Sequence, residues 1–156
     1  MSRYLAIRRV HMSAGIVGFI TILAFWISTV LSELSGNQVL VAAVKNGILW
    51  GMLILIPSMV TVGGTGFRLA GKAKSALVRS KKFRMPIIAL NGILVLVPCA
   101  FFLANRASTG QLDTTFYIVQ AIELIAGGTN LTLMGLNLRD GLTLSRWIKR
   151  AGLRPA

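Results

Sequence analysis

The chain is 156 residues long and 54% hydrophobic, with 17 Lys and Arg against 4 Asp and Glu, a formal charge of +13. A single cysteine and a single histidine exclude an internal disulfide, a CxxC redox pair and a Cys/His zinc site, so no metal centre is expected. So basic a balance would suggest nucleic acid in a soluble protein. Here the positive residues flank long apolar runs without an aromatic-rich binding module, and no nucleic-acid partner is expected.

Arg3, Arg8 and Arg9 precede the first apolar run, residues 12–31. That run is close to the ~20 residues a helix needs to cross ~30 Å of hydrocarbon. It outruns the ~7–15-residue core of a secretory signal and no small-x-small cleavage site follows, so it is expected to stay as a span. One side reads His11, Gly15, Gly18, Thr21, Phe25, Ser28, Ser32, a seam of small and polar residues that lets another helix approach. A short connection containing Gly36 leads to the second run, residues 39–62, with Lys45 near its start and Pro57 within it. Its expected seam is Gly47, Gly51, Ser58, Thr61 and Thr65, and Gly47-x-x-x-Gly51 also suits a helix dimer.

The connection 63–85 is longer and holds Arg68, Lys72, Lys74, Arg79, Lys81, Lys82 and Arg84. Gly63, Gly64 and Gly66 are expected to end the second helix, and Pro86 to open the third. The third run, 86–104, carries Asn91, Pro98 and the lone Cys99, and both Pro57 and Pro98 are expected to kink their helices. Residues 105–115 contain only Arg106 as a basic residue. The fourth run, 116–136, has the seam Gln120, Glu123, Gly127, Asn130, Met134, Asn137. Arg139, Arg146, Lys149, Arg150 and Arg154 come after it. Over 143–156, Leu144, Trp147, Ile148 and Ala151 recur at helical spacing beside basic residues, which predicts a short amphipathic interfacial helix.

The expected fold class is therefore all-α integral membrane. Residues 1–142 would form a bundle of four antiparallel transmembrane helices, with a cytoplasmic amphipathic tail after it. The alternation of basic and non-basic connections puts both termini in the cytoplasm of a bacterial inner (plasma) membrane protein. Anionic head groups of the lipid bilayer are the expected partners of the basic side.

Three places could carry chemistry. Lys45 and Glu123 lie at matched depth inside the second and fourth runs, where an unpaired charge costs at least ~2.5–3.5 kcal/mol, so a contact is expected, shared with Gln120 and Asn46. That contact reads as a structural ion pair or as a proton site. Asn91, Asn130 and Thr61 share a second depth and would form a polar pocket or an interhelical hydrogen-bond level. His11 stands at the mouth of the first helix beside Arg8 and Arg9. The string Arg8-Arg9-Val10-His11 before an apolar helix resembles the small haem-binding subunits of the photosystem II b-type cytochrome over that short stretch, with no second motif. The resemblance implies His11 as an axial haem ligand with Arg8 and Arg9 near the propionates. A second ligand would come from another chain or from Met134. An interfacial histidine is the plainer reading.

No catalytic residues are assigned. Gly63-Gly64-Thr65-Gly66 lacks the Lys and the preceding strand of a phosphate loop, and a Ser-His-Asp triad would have to span separate depths. Three functions fit this pattern. The leading one is an accessory or assembly subunit of a larger membrane complex. The others are a small homodimeric ion-coupled carrier using Glu123 and Lys45, and a b-type haem electron-transfer protein using His11.

Overall fold

A computed structural model of the chain describes residues 3–70 and 76–150. The described chain is helical apart from two tight turns: α1 (Arg3–Leu34), α2 (Gln38–Ala70), a third rod made of α3 (Ala76–Asn91), a π turn (Gly92–Leu96) and α4 (Val97–Ser108), and α5 (Thr114–Arg150). Among these, α1, α2 and the α3–α4 rod are long and apolar enough to cross a membrane. The longest helix, α5, is not among them, because Gln120, Glu123 and Asn130 interrupt its apolar run.

The tight turns follow from local chemistry. Gly36 turns with φ +64°, a conformation that costs glycine little, and the Asn37 side chain then accepts from the amides of Val39 and Leu40 to cap α2. Gly110 repeats the device at φ +69°, and Asp113 caps α5 by accepting from the Phe116 amide. Arg106 closes this second turn over Gln111 and Asp113.

Three boundaries differ from those expected. α2 runs through Gly63, Gly64 and Gly66 as far as Ala70, and α3 begins at Ala76, so Pro86 is interior. Glycine weakens a helix by only about 1 kcal/mol. Tertiary contacts offset that: Gly66 lies under the His11 ring and Thr65 hydrogen-bonds His11. Residues 143–150 prolong α5 rather than start a new helix, and 151–156, the end of the expected tail, lie outside the described residues. Pro98 is accommodated by the π turn just before it, where the Val97 amide reaches the Gly92 carbonyl. The wider register absorbs the missing proline N–H and the ring's clash with the preceding turn.

The rods form a ring: α1 packs on α2, α2 on α4, α4 on α5, and α5 closes back on α1. Hydrocarbon supplies no hydrophobic drive between helices, so fit and polar contacts hold them. Gly51 lies under the Phe25 ring, Gly18 under the Met59 methyl, and Gly127 under Trp26, whose indole N–H donates to the Leu124 carbonyl at 3.0 Å. Apolar clusters stack along the bundle, from Val41, Leu103 and Phe116 at the turn end, through Ile48, Met52 and Ala100, to Ile22, Ile88 and Met134. The buried side of α2 is Val41, Lys45, Ile48, Met52 and Val62, rotated from the expected small-residue seam. Gly47 accordingly faces open space while Gly51 faces α1. The expected seam of α5 is the buried one at Gln120, Asn130 and Met134.

Candidate functional site

Near the turn end, Lys45 on α2 is 1% exposed and its Nζ donates to Glu123 Oε2 on α5 at 2.5 Å. Gln120, one turn before Glu123, donates its Nε2 to the same oxygen at 3.1 Å. Glu33, at the last turn of α1, stands within the field of both charges. Sequence reasoning passed over Glu33 because it follows the first apolar run. Its Oε1 and the Oε1 of Gln120 are buried and have no donor among the described residues. This cluster thus holds two carboxylates, one ammonium and two unused acceptors. Asn46, expected to share it, turns away and bonds the Ala42 carbonyl and the Ser108 hydroxyl.

Midway along the bundle, Asn91 Nδ2 donates to Asn130 Oδ1 at 2.8 Å and to the Ala126 carbonyl at 2.9 Å. Asn130, 2% exposed, donates to the Ile88 carbonyl. Thr61 does not join them, because its hydroxyl bonds the Pro57 carbonyl one turn back on its own helix. The expected three-residue pocket is a two-asparagine clamp between the third rod and α5.

At the basic end, Arg84 Nη1 meets Asp140 Oδ2 at 2.7 Å, and Arg139 approaches the other carboxylate oxygen at 3.4 Å. Burial alone would raise the Asp140 carboxyl. The hydrogen bond and charge of Arg84, joined by Arg139, outweigh it and hold the group below the usual aspartate range. Neither Arg84 nor Asp140 was singled out from the sequence. The signal was present, since both stand just beyond the basic ends of their apolar runs.

His11 Nδ1 lies 2.9 Å from Thr65 Oγ1, whose hydroxyl donates to the Thr61 carbonyl. With that hydrogen committed, Thr65 accepts from His11 Nδ1, and the ring also hydrogen-bonds the Val62 backbone. His11 is on the wall of a cavity of 270 Å³ between α1, α2, α3 and α5. The cavity opens because α3 packs on α5 and only lightly on α2. Its apolar depth is formed by Phe19, Met59, Met85, Ile88 and Met134, and its polar mouth by Tyr4, Arg8, Lys81, Lys82 and Asn137. Arg9 is exposed and outside the wall. The volume falls below the roughly 300–1,000 Å³ of pockets for drug-sized ligands, and a porphyrin would need the helices to part.

Comparison with family models, with curated proteins and with solved structures finds no match to this chain.

Proposed function

We propose that this protein is a four-span membrane scaffold, an accessory or assembly subunit that binds a larger membrane complex. The observation that supports this reading is the distribution of strong polar contacts. Lys45–Glu123, Asn46–Ser108, Asn91–Asn130, Arg84–Asp140, His11–Thr65 and Trp26 to the Leu124 carbonyl each tie one helix to another. Together they fasten the bundle at every level, which suits a rigid body better than a carrier whose helices must rock past one another.

In this reading α5 is the fourth span. Its polar residues Gln120 and Asn130 face inward, while Tyr117, Ile118, Ile122 and Ile125 face outward. A helix sheathed by three spans and apolar on its outer side is stable in hydrocarbon despite modest overall hydropathy. The basic end, with both termini, is cytoplasmic, and the membrane is the inner membrane of a bacterium. A partner helix has a place to dock at the outward Gly47, where the α2 backbone is uncovered beside Asn46 and Trp50.

The test is copurification of the tagged full chain in mild detergent after cross-linking in the membrane. The expected result is a defined membrane-protein partner that is lost in Gly47→Leu while the variant keeps its own thermal stability. A chain that elutes alone, uncross-linked, in several mild detergents overturns the reading.

The carrier reading retains one observation in its favour: the unused acceptors of Glu33 and Gln120 beside the ion pair. In proteoliposomes it requires pH-driven flux that vanishes in Glu123→Gln with the fold intact. Flux that persists in that variant removes Glu123 from any coupling step.

A further inference from the structure

The cavity at the basic end is divided by chemistry along its depth. Phe19, Met59, Met85, Ile88 and Met134 make the inner part apolar and flexible, since methionine side chains adapt to irregular guests. Its mouth gathers Arg8 from α1 with Lys81 and Lys82 from α3. Asp140, at the same end of the bundle, is engaged by Arg84 and Arg139. Lys81 feels Asp140 only at longer range, and its half-buried Nζ lies against Gly141 at the cavity wall. A guest with an anionic head and an apolar body therefore finds complementary surfaces in the order in which a membrane would present them.

From this arrangement we propose that the cavity seats one anionic phospholipid of the adjoining leaflet. Its phosphate meets Arg8, Lys81 and Lys82, and part of one acyl chain enters between Met59, Met85 and Met134. The charge at the mouth selects the head group. A chain moving from bilayer to apolar cavity gains little by itself, so the discrimination between lipids is electrostatic. The inference is independent of the scaffold reading, because it rests on the cavity and not on the interhelical clamps.

Binding is measured by native mass spectrometry of the full chain in mild detergent. The titrants are phosphatidylglycerol and phosphatidylcholine of identical acyl chains, with glycerol phosphate as a head group without tails. One phosphatidylglycerol per chain is expected to be retained in preference to phosphatidylcholine. Lys81→Gln should weaken it about fivefold, the equivalent of one basic residue near an anionic surface. Gly63→Leu should abolish retention by filling the cavity. A Cβ at Gly63 meets no neighbour within 4 Å, so the added side chain has room and the fold survives. Glycerol phosphate at the same concentration should not displace the lipid.

Equal retention of the two lipids overturns the proposal. So does retention unchanged in Gly63→Leu, which would mean annular lipid on the outer surface, or displacement by glycerol phosphate, which would mean a plain phosphate site.

Discussion

Removing the ammonium from the Lys45–Glu123 pair is the sharpest perturbation of this bundle. At an N–O separation of 2.5 Å the gross attraction is about 7 kcal/mol with an effective dielectric near 20. Desolvating the two ions consumes several kcal/mol each, so the intact pair contributes little net stability. Breaking it is another matter. Lys45→Met leaves Glu123 and Glu33 on neighbouring helices with no cation between them, at a site where Lys45 itself was 1% exposed. The expected cost is about 3–4 kcal/mol, within the range for an orphaned buried charge.

Glu123→Gln should cost less, about 2 kcal/mol, for two reasons. Glutamine still accepts from Lys45 and from Gln120, and Glu33 continues to act on the ammonium. The double variant Lys45→Met, Glu123→Gln removes both charges and should lie within about 1.5 kcal/mol of the parent, far from the sum of the singles. Equilibrium unfolding in mixed micelles, followed by far-UV circular dichroism as the SDS fraction rises, measures all three. If Lys45→Met falls within about 0.5 kcal/mol of the parent, the pair contributes no structural coupling. Strict additivity of the two singles would refute it equally.

Other expectations can be checked with the same unfolding assay. The depressed Asp140 carboxyl contributes stability that is fully present above the ordinary aspartate range and is lost as pH falls through its lower folded value. An acid-side loss should therefore begin below about pH 4 and disappear in Asp140→Asn, which should cost about 2 kcal/mol at neutral pH; an unchanged acid limb in that variant would exclude the Arg84 contact as its source. Gly51→Ala should destabilise by about 1–3 kcal/mol because a Cβ there collides with the Phe25 ring, whereas Gly47→Ala should be neutral or stabilising by about 0.5–1 kcal/mol. Equal effects at the two glycines would contradict the observed rotation of α2. Asn130→Leu strips Asn91 of its side-chain acceptor and should cost about 1–2 kcal/mol, read as a lower SDS midpoint.

The parts of this structure legible in the sequence are those set by long-range physical costs. Apolar runs of membrane length marked three helices outright, and the expense of a bare charge in hydrocarbon was enough to bring Lys45 and Glu123 together on paper. What stayed hidden depended on helix rotation and on the ends. Small residues suggest one seam for α2, yet Lys45 fixes the rotation. Once its ammonium points at Glu123, Val41, Ile48 and Met52 must point inward with it, and Gly47 turns out. Local propensity alone makes the glycines at 63, 64 and 66 a helix end, and the His11–Thr65 contact that holds that turn is invisible to it. Arg84 and Asp140 stand just outside the apolar runs, where a bare charge carries no evident cost, although opposite charges at one depth are the same signal that pairs Lys45 with Glu123.

The two ends of the bundle differ in a way that bears on function. At the turn end, short loops capped by Asn37 and Asp113 and the core of Val41, Leu103 and Phe116 close the rods tightly, and the charges there face one another. At the basic end, α3 leaves α2, the acids are fewer than the bases, and the cavity lies between them. In the closed end the Lys45 ammonium and the Gln120 amide are both committed to Glu123, leaving the two unused acceptors. The open end has an apolar interior with Arg8, Lys81 and Lys82 at its mouth. On the proposed readings, a scaffold built this way would meet a protein partner at the Gly47 face and a lipid at its basic mouth, and the two contacts would involve different residues. Gly47→Leu should therefore cost the partner and spare the lipid, while Gly63→Leu should cost the lipid and leave the Gly47 face intact.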